Sequence, residues 1–476
     1  MDVNGMCVES LAQSIGSSEP ALRLLLSLLM CYPLSFFHRS FLYGKNVNLQ
    51  HLYFICGGVG ICYFNYGFDV IHSFVSISIC YLVLRILGGG TLSLAIVFIY
   101  AMGHLLYGYW YTATGDYDIK WTMPQCVLTL RLIGLAFNLS DGRKQRDKLS
   151  EQNKQVALES LPPPLAVFAH CYFPSSFLIG PQFPIKRYLD FVELKLEKKE
   201  NVYELPNSIG AGSLNLCLGL IYLGVYQGGS LIVSDETMIS EEYKCLPLWK
   251  QCLLLGLWAR LTLYKYISCW LITEGSLTIF GITYNGVDQN GIAKWDGCSN
   301  VKISVFESAT RMNHYIESFN TNTNNWVAQY IYKRLKFLNN RILSQVGVLL
   351  FLAVWHGFHS GYYATFFFEF VSILSEKQLV GMLNANGTVP ELLGKPFVYP
   401  FVYVFLRLYT FVCMGYAMIP FILLKYKKYL PLYIHFYFFF HIFYLSMIAL
   451  TPYLRKHFIR PRKRDSAVRG TSSKQD

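Results

Sequence analysis

Long apolar segments recur along the whole chain, and they constrain its fold more than any other feature of the sequence. A helix needs about 20 mostly apolar residues to cross the hydrocarbon core of a bilayer, which is roughly 30 Å thick. Because lipid offers no hydrogen bonds to the backbone, such segments cross a membrane as helices. The sequence therefore predicts an all-α polytopic membrane protein with about nine to twelve transmembrane segments. The candidate segments lie near residues 21–37, 51–67, 70–87, 91–111, 122–138, 208–233, 247–272, 342–373, 398–424 and 431–454.

The composition excludes the common soluble classes of protein. Of the 476 residues, 53% are hydrophobic and only 15% are charged, whereas soluble proteins carry about 25% charged residues. The net charge of +12 does not indicate a nucleic-acid-binding protein, because the basic residues stand at the ends of apolar segments and in the C-terminal tail. We therefore expect membrane lipids, and no nucleic acid, among the partners.

The chain divides by composition into an N-terminal polar segment (1–20), a membrane-embedded domain (21–454) and a basic tail (455–476). The tail carries eight Lys or Arg residues and two acidic residues. Basic clusters beside a membrane span favour the cytoplasmic side, so the tail is expected in the cytosol. The thirteen cysteines form no Cys-x-x-Cys pair, and neither a metal site nor a disulfide framework is predicted.

Two regions interrupt the succession of spans. The apolar run 161–183 contains five prolines, so it is predicted to be broken or re-entrant and buried in protein. Residues 184–200 show the apolar spacing of an amphipathic helix that lies in the membrane interface. A second amphipathic helix is predicted after Trp326, with an apolar face made of Val327, Tyr330, Ile331 and Leu335.

One titratable side chain stands in the middle of an apolar segment. His356 lies halfway along 342–373, which as a single helix would measure roughly 46 Å and would have to tilt, kink or project. Ionisable residues at such depth are often functional; the alternative is a neutral histidine that is hydrogen-bonded to a neighbouring helix. His359 either orients His356 or lines the same cavity. Gly357 and Gly361 permit close helix packing.

An asparagine-rich stretch precedes this segment. Residues 319–326 read FNTNTNNW and include four asparagines, a composition that is typical of structural turns. The stretch stands immediately before an amphipathic helix and the segment with His356. Irregular polar backbone at membrane depth is tolerated where it is buried in protein or lines a cavity. Together the two features predict a buried reaction chamber.

Four motifs carry a resemblance to a known family. Together they resemble the membrane-bound O-acyltransferase family, and within it the lysophosphatidylcholine acyltransferase branch, from about residue 50 to residue 460. The motifs are FLIGPQF (177–183), AKWDGCSN (293–300), SFNTNTNNWVAQYIYKRLKFL (318–338) and LAVWHGFHSGYY (352–363). The family's N-x-x-T-x-x-W element falls on Asn320, Thr323 and Trp326. Its W-H-G element falls on Trp355, His356 and Gly357.

The resemblance implies a multi-helix bundle around the chamber, with Asn320 and His356 as the catalytic pair. It implies an enzyme of the endoplasmic reticulum membrane that transfers an acyl chain from acyl-CoA to the sn-2 hydroxyl of lysophosphatidylcholine. Lysophosphatidylserine and lysophosphatidylethanolamine are further acceptors, and unsaturated chains are preferred. Acyl-CoA is then a substrate, and no cofactor is expected. The tail ends SSKQD and lacks the dilysine ending by which some relatives are retained in that membrane.

The implied catalytic pair suits acyl transfer. A thioester reacts with an alcohol when a base removes the hydroxyl proton and a donor stabilises the oxyanion. Histidine titrates near neutral pH, which fits His356 as the base. Asn320 either donates an amide N–H to the oxyanion or positions the hydroxyl or His356. No serine or cysteine stands in a nucleophile motif, so direct transfer is expected. Further candidates for substrate binding are Trp326, Trp355, His359, Lys333 and Arg334.

Several alternatives stay open at this stage. Lys333 and Arg334 either meet the phosphates of CoA or anchor an interfacial helix to lipid headgroups. In a second alternative, the chain is a member of the same family that acylates a secreted protein or a sterol. In a different class, a lipid transporter or scramblase would use His356 as a proton relay, although the chain has no internal repeat of the kind found in many transporters.

Overall fold

Helices make up most of the part of the chain that is described. Within that part the strand-like pairings are two isolated β-bridges, so the prediction of an all-α chain is confirmed. The basic tail beyond Phe458 lies outside the described residues. The computed structural model describes residues 3–14, 16–113, 119–198, 206–385 and 388–458.

Helices α1 to α7 make up the N-terminal third. Their bounds are α1 (Val3–Ser14), α2 (Glu19–Phe37), α3 (Val47–Tyr66), α4 (Val70–Leu87), α5 (Thr91–Thr112), α6 (Thr122–Gly142) and α7 (Glu151–Val156). A π-helical turn, His38–Leu42, extends α2, and a 3-10 turn, Gly67–Asp69, joins α3 to α4. The Asn46 side chain caps α3 by accepting hydrogen bonds from two backbone N–H groups. α6 is buried along almost its whole length and supports the site described below.

The next region is irregular where the prolines predicted a break. α8 (Pro164–Cys171) and α9 (Pro174–Phe177) are short and mostly buried, which confirms the prediction for this run. α10 (Ile185–Val192) is the expected amphipathic helix. It is shorter than expected because Leu194 adopts a left-handed conformation (φ 56°) and separates it from the next helix. The helices that follow are α11 (Lys195–Lys198), α12 (Ile209–Ser230), α13 (Asp235–Ile239) and α14 (Glu241–Lys244).

The longest helix, α15 (Leu248–Phe280), has 33 residues and packs against α2 and α12. Gly281 ends it in a left-handed conformation (φ 101°). After it come α16 (Ile303–Glu307), α17 (Met312–Ser318) and α18 (Thr321–Tyr330). The single amphipathic helix that was predicted after Trp326 is wrong in detail, because α18 ends at Tyr330 and a 3-10 helix, Tyr332–Leu338, continues the chain.

Two helices, α19 (Arg341–His356) and α20 (Ser360–Ala385), replace the single helix that was expected over 342–373. The break falls at Gly357, whose φ of 122° lies in the left-handed region that favours glycine. The prediction of one long helix is therefore wrong, and His356 is the last residue of α19. Because of this break, His356 lies at the end of a helix and beside irregular backbone, and not in the middle of a helix.

The C-terminal helices pack back onto α20. They are α21 (Thr388–Leu393), α22 (Tyr399–Leu423), α23 (Tyr426–His435) and α24 (Phe439–Phe458). A Cβ atom on Gly361 of α20 would lie 2.0 Å from the carbonyl oxygen of Pro420 in α22, so this close approach requires glycine. The Tyr444 hydroxyl of α24 bonds with Tyr409 and Cys413 of α22, and His441 bonds with Tyr416. α22 and α24 are therefore antiparallel, and Phe458 lies at the end of the bundle where α22 begins.

Among the described residues, six helical segments are long and apolar enough to cross a membrane, and a seventh arises if α23 and α24, which are bent by 72°, form one span. The multi-span architecture is confirmed. The number of spans is below nine to twelve because the helical run Val47–Leu87, which contains α3 and α4, counts once. Helices α15 and α19 are not counted, because neither is both long and apolar enough to cross a membrane. α15 carries charged side chains along its length, and α19 has only 16 residues. Large apolar side chains such as Ile86 and Trp110 face outward, as expected for contact with lipid.

Candidate active site

Aromatic side chains surround His356 at the end of α19. Its ring centroid is 5.2 Å from that of Tyr362, 5.5 Å from that of Phe366 and 5.8 Å from that of Phe421. No described residue forms a hydrogen bond with its ring, and His356 lines two cavities. This arrangement does not match the alternative in which a neighbouring helix holds a neutral histidine by a hydrogen bond.

The first cavity, called cavity 1 below, has a volume of about 200 Å³. Helices α15 to α20 and helix α22 contribute its walls, which are mostly apolar. Its lining includes Leu263, Phe306, Leu352, Phe366, Met414 and Phe421. Such a wall suits a hydrocarbon chain, because contact with apolar side chains removes apolar surface from water.

The second cavity, cavity 2, is larger, with a volume of about 620 Å³. Leucines of α2, among them Leu25 and Leu28, form one side of it, while the polar residues Lys120, Gln182 and Lys265 contribute to the rest. A cavity with one apolar side and several polar groups suits an amphipathic molecule.

The two cavities meet at the catalytic candidates. Both are lined by the same five residues, Tyr266, Trp270, Asn320, Thr323 and His356. The predicted pair, 36 positions apart in sequence, therefore shares one junction with the threonine of the N-x-x-T-x-x-W element. A molecule in either cavity has access to His356 and Asn320, which is the arrangement that a group transfer between two substrates needs.

The backbone of Asn320 is held in an unusual conformation. Its φ and ψ of 51° and 44° lie in the left-handed region, which asparagine tolerates better than most residues. The residue stands at the N-cap position of α18, yet its side chain does not cap the helix, and no hydrogen bond links that side chain to any described residue. The amide is therefore available to a molecule at the junction.

A buried carboxylate fixes the loop beside Asn320. The backbone N–H of Asn300 donates to Glu274 of α15 (2.6 Å), and the Asn300 carbonyl accepts from the N–H of Thr321 (3.0 Å). The Asn300 side chain accepts from the N–H of Asn322 (3.1 Å). Asn320 thus precedes two residues that are tied through Asn300 to the long central helix. Sequence reasoning missed Glu274, although an acidic residue inside an apolar segment is a signal of buried structure or function.

The chemistry at the junction depends on polar groups from the protein. Within the described ranges, no group of three or more His, Cys, Asp or Glu residues is arranged to hold a metal ion. Cys298, in the loop before Asn300, is buried, and burial raises the pKa of its thiol. This thiol is therefore a poor nucleophile. A histidine base and a free amide at the meeting point of two cavities are the groups that direct acyl transfer requires.

Comparison with known proteins agrees with this geometry. Residues 106–423 match the model of the membrane-bound O-acyltransferase family. The chain is 41% identical over 461 residues to lysophospholipid acyltransferase 5 of Mus musculus, covering 97% of this chain and 94% of that protein. It is 43% identical over 436 residues to the Drosophila melanogaster protein of the same name, covering 90% and 86%. A lysophospholipid acyltransferase of Schizosaccharomyces pombe is 28% identical over 371 residues, which is 75% of this chain and 71% of that protein.

The chain belongs to the membrane-bound O-acyltransferase family. It is an acyltransferase, and the resemblance that the four motifs carry is confirmed. The family match begins within α5 and ends at the last residue of α22, so it includes every residue at the junction of the two cavities.

The two tryptophans of the family motifs in this membrane-bound O-acyltransferase both bind the backbone of α6. The Trp326 indole N–H donates to the carbonyl of Leu130 (3.1 Å), and that of Trp355 donates to the carbonyl of Cys126 (3.0 Å). These bonds hold α18 and α19 against the same buried helix. Trp355 also lines cavity 2, as does His359, whereas Trp326 lines neither cavity.

The two basic candidates are engaged away from both cavities of the acyltransferase. Both terminal nitrogens of Arg334 donate to the buried carboxylate of Asp141 at the end of α6. The Lys333 ammonium donates to the side chain of Gln152. Neither basic residue lines cavity 1 or cavity 2. Their contact with a substrate stays a prediction.

Proposed function

We propose that this protein is a lysophospholipid O-acyltransferase that esterifies the free sn-2 hydroxyl of lysophosphatidylcholine with an acyl chain from acyl-CoA. Lysophosphatidylserine and lysophosphatidylethanolamine are further acceptors, and unsaturated chains are preferred. The observation that carries the proposal is the junction of the two cavities at His356 and Asn320. The names of relatives that match over nearly the whole chain support the choice of a lysophospholipid as acceptor.

In this proposal His356 acts as the general base. Its unprotonated ring nitrogen takes the proton of the sn-2 hydroxyl while the hydroxyl oxygen attacks the thioester carbonyl carbon. The carbon–sulfur bond then breaks, the ester forms, and the CoA thiolate recovers the proton from His356. A thiolate is a good leaving group, so no acyl-enzyme is required.

Asn320 supplies the second interaction. Its side-chain N–H donates to the carbonyl oxygen as negative charge develops there, which lowers the barrier to the attack. The alternative role, positioning the hydroxyl or His356, uses the same free amide. The backbone of Asn320 is left-handed, and the two residues that follow it are bound to Asn300, so the position of the residue at the junction is set by the loop.

The two substrates use the two cavities in different ways. We assign the acyl chain of the thioester to cavity 1, since its walls are mostly apolar. We assign the lysophospholipid to cavity 2, where the α2 leucines meet its chain and polar side chains meet its headgroup. Trp355 and His359 then contact the acceptor. Trp326, Lys333 and Arg334 line neither cavity. They contact a substrate only if the protein changes conformation at these positions when the substrate binds.

The endoplasmic reticulum membrane, with a cytosolic tail, is the proposed location. The basic residues from 455 to 476 favour the cytosolic side. Because α22 and α24 are antiparallel, the segment before α22 lies at the same end of the bundle as Phe458, and it is cytosolic if the tail is.

A panel of acceptors tests the proposed function. Purified protein in vesicles receives labelled oleoyl-CoA with lysophosphatidylcholine, lysophosphatidylserine, lysophosphatidylethanolamine, lysophosphatidic acid, cholesterol or a peptide. We expect labelled phosphatidylcholine as the main product, with smaller yields from the serine and ethanolamine lysolipids. Acylation of the sterol or the peptide alone would assign the protein to a different branch of the family. Lipid movement between leaflets without any transfer would reject the enzyme.

A further inference from the structure

Cavity 1 has a polar stripe on an otherwise mostly apolar wall. Thr365, Glu369 and Ser372 of α20 all line it. They follow one another at spacings of four and three residues, so they lie on one face of the helix. From Thr365 to Ser372 the stripe extends about 10 Å along the helix axis. An acyl chain in cavity 1 therefore meets polar groups on α20.

Two members of the stripe have no hydrogen-bond partner among the described residues. Thr365 is 8% exposed, and its hydroxyl oxygen is buried without a partner. No described residue donates to the carboxyl group of Glu369. Ser372 differs, because its hydroxyl donates to the backbone carbonyl of Glu369 (3.0 Å). Buried polar groups are normally paired by hydrogen bonds. The unpaired Thr365 hydroxyl and Glu369 carboxyl therefore indicate a ligand in cavity 1 that interacts with both groups.

The chemistry of the stripe favours one kind of hydrocarbon over another. A saturated chain offers neither donor nor acceptor and leaves both groups unpaired, which costs free energy. The π electrons of a cis double bond can accept a weak hydrogen bond from a hydroxyl such as that of Thr365. The C–H groups between two double bonds can donate weakly to carboxyl oxygens such as those of Glu369. Each such contact contributes little by itself, but the contacts are absent with a saturated chain.

We propose that Thr365 and Glu369 are specificity-determining residues that favour polyunsaturated acyl chains in cavity 1. This inference rests on the proposed function, since it takes cavity 1 as the site of the acyl chain. The two groups select by hydrogen-bonding complementarity to the acyl chain and take no part in the transfer itself.

Competition between two acyl-CoAs of equal chain length tests the proposal. Vesicles with lysophosphatidylcholine receive an equal mixture of linoleoyl-CoA and stearoyl-CoA, and the ratio of the two products is measured. The wild-type protein should favour the linoleoyl product. Thr365→Val removes the hydroxyl at nearly constant volume, and Glu369→Met removes the carboxyl. Each variant should lower the ratio by about twofold to fivefold, as expected for the loss of one weak hydrogen bond.

Ser375→Ala is the matched control. Ser375 is buried on the same helix and does not line cavity 1, so its replacement should leave the ratio as in the wild-type protein. An unchanged ratio in both Thr365→Val and Glu369→Met, with wild-type transfer intact, overturns this proposal and leaves the proposed function standing. A wild-type protein that transfers neither chain overturns both. If one variant fails to accumulate, the other still decides the result.

Discussion

Replacing His356 by alanine should lower acyl transfer by about 10²–10⁴-fold, because the general base that removes the acceptor proton is lost. The side chain lies at the junction of two cavities and forms no hydrogen bond with any described residue, so its removal should not unfold the protein. Turnover of labelled acyl-CoA in microsomes, normalised to the amount of folded protein, measures the effect. His359→Ala is the comparison, since His359 lines cavity 2 only, and it should keep measurable turnover.

Near wild-type turnover in His356→Ala would contradict the assignment of the base. Equal losses in His356→Ala and His359→Ala, with normal folding of both, would point to a shared role in binding and not to proton transfer by one residue.

The second large effect is expected at Asn320. Asn320→Ala should lower kcat by about 10²–10³-fold if its amide stabilises the oxyanion, with little change in the KM for acyl-CoA. Because the residue is left-handed (φ 51°), alanine also introduces backbone strain. Asn320→Gly removes the amide without that strain and should show the same loss. Steady-state kinetics on both variants separate the two causes.

Asn325→Ala is the matched control for this prediction. Asn325 belongs to the same asparagine-rich stretch but is exposed, so its replacement should leave turnover close to that of the wild type. Asn322→Ala and Asn324→Ala should also keep more activity than Asn320→Ala, although both side chains bind backbone carbonyls. Recovery of activity in Asn320→Gly would contradict the amide's role and indicate that only the turn matters.

The sequence predicted the architecture wherever a local signal marked it. Apolar length marked the spans, and the prolines of 161–183 marked the break that α8 and α9 form. The catalytic pair was reached by resemblance to a family. That Asn320 and His356 share one junction depends on the packing of α18 and α19 against α6, which no spacing in the sequence reveals.

The errors have physical causes as well. Apolar residues predominate on both sides of Gly357, so the hydropathy of the segment gave no sign that the chain breaks into α19 and α20 there. The left-handed φ of the glycine shows the break. Lys333 and Arg334 were chosen by charge alone, and charge did not reveal that Arg334 binds Asp141, 193 positions earlier in the chain, or that Lys333 binds Gln152; their contact with a substrate stays a prediction. Glu274 was missed because its partner, the backbone N–H of Asn300, is created by the fold.

The central claim is that the reacting carbonyl lies between His356 and Asn320 with its chain in cavity 1. An experimental structure of the protein with a thioether analogue of acyl-CoA, which cannot transfer its chain, tests this most directly. We expect density for the chain along the walls formed by Leu263, Phe366 and Met414, with the first carbons next to His356 and Asn320. A chain bound outside cavity 1, with the thioether away from both residues, would contradict the account.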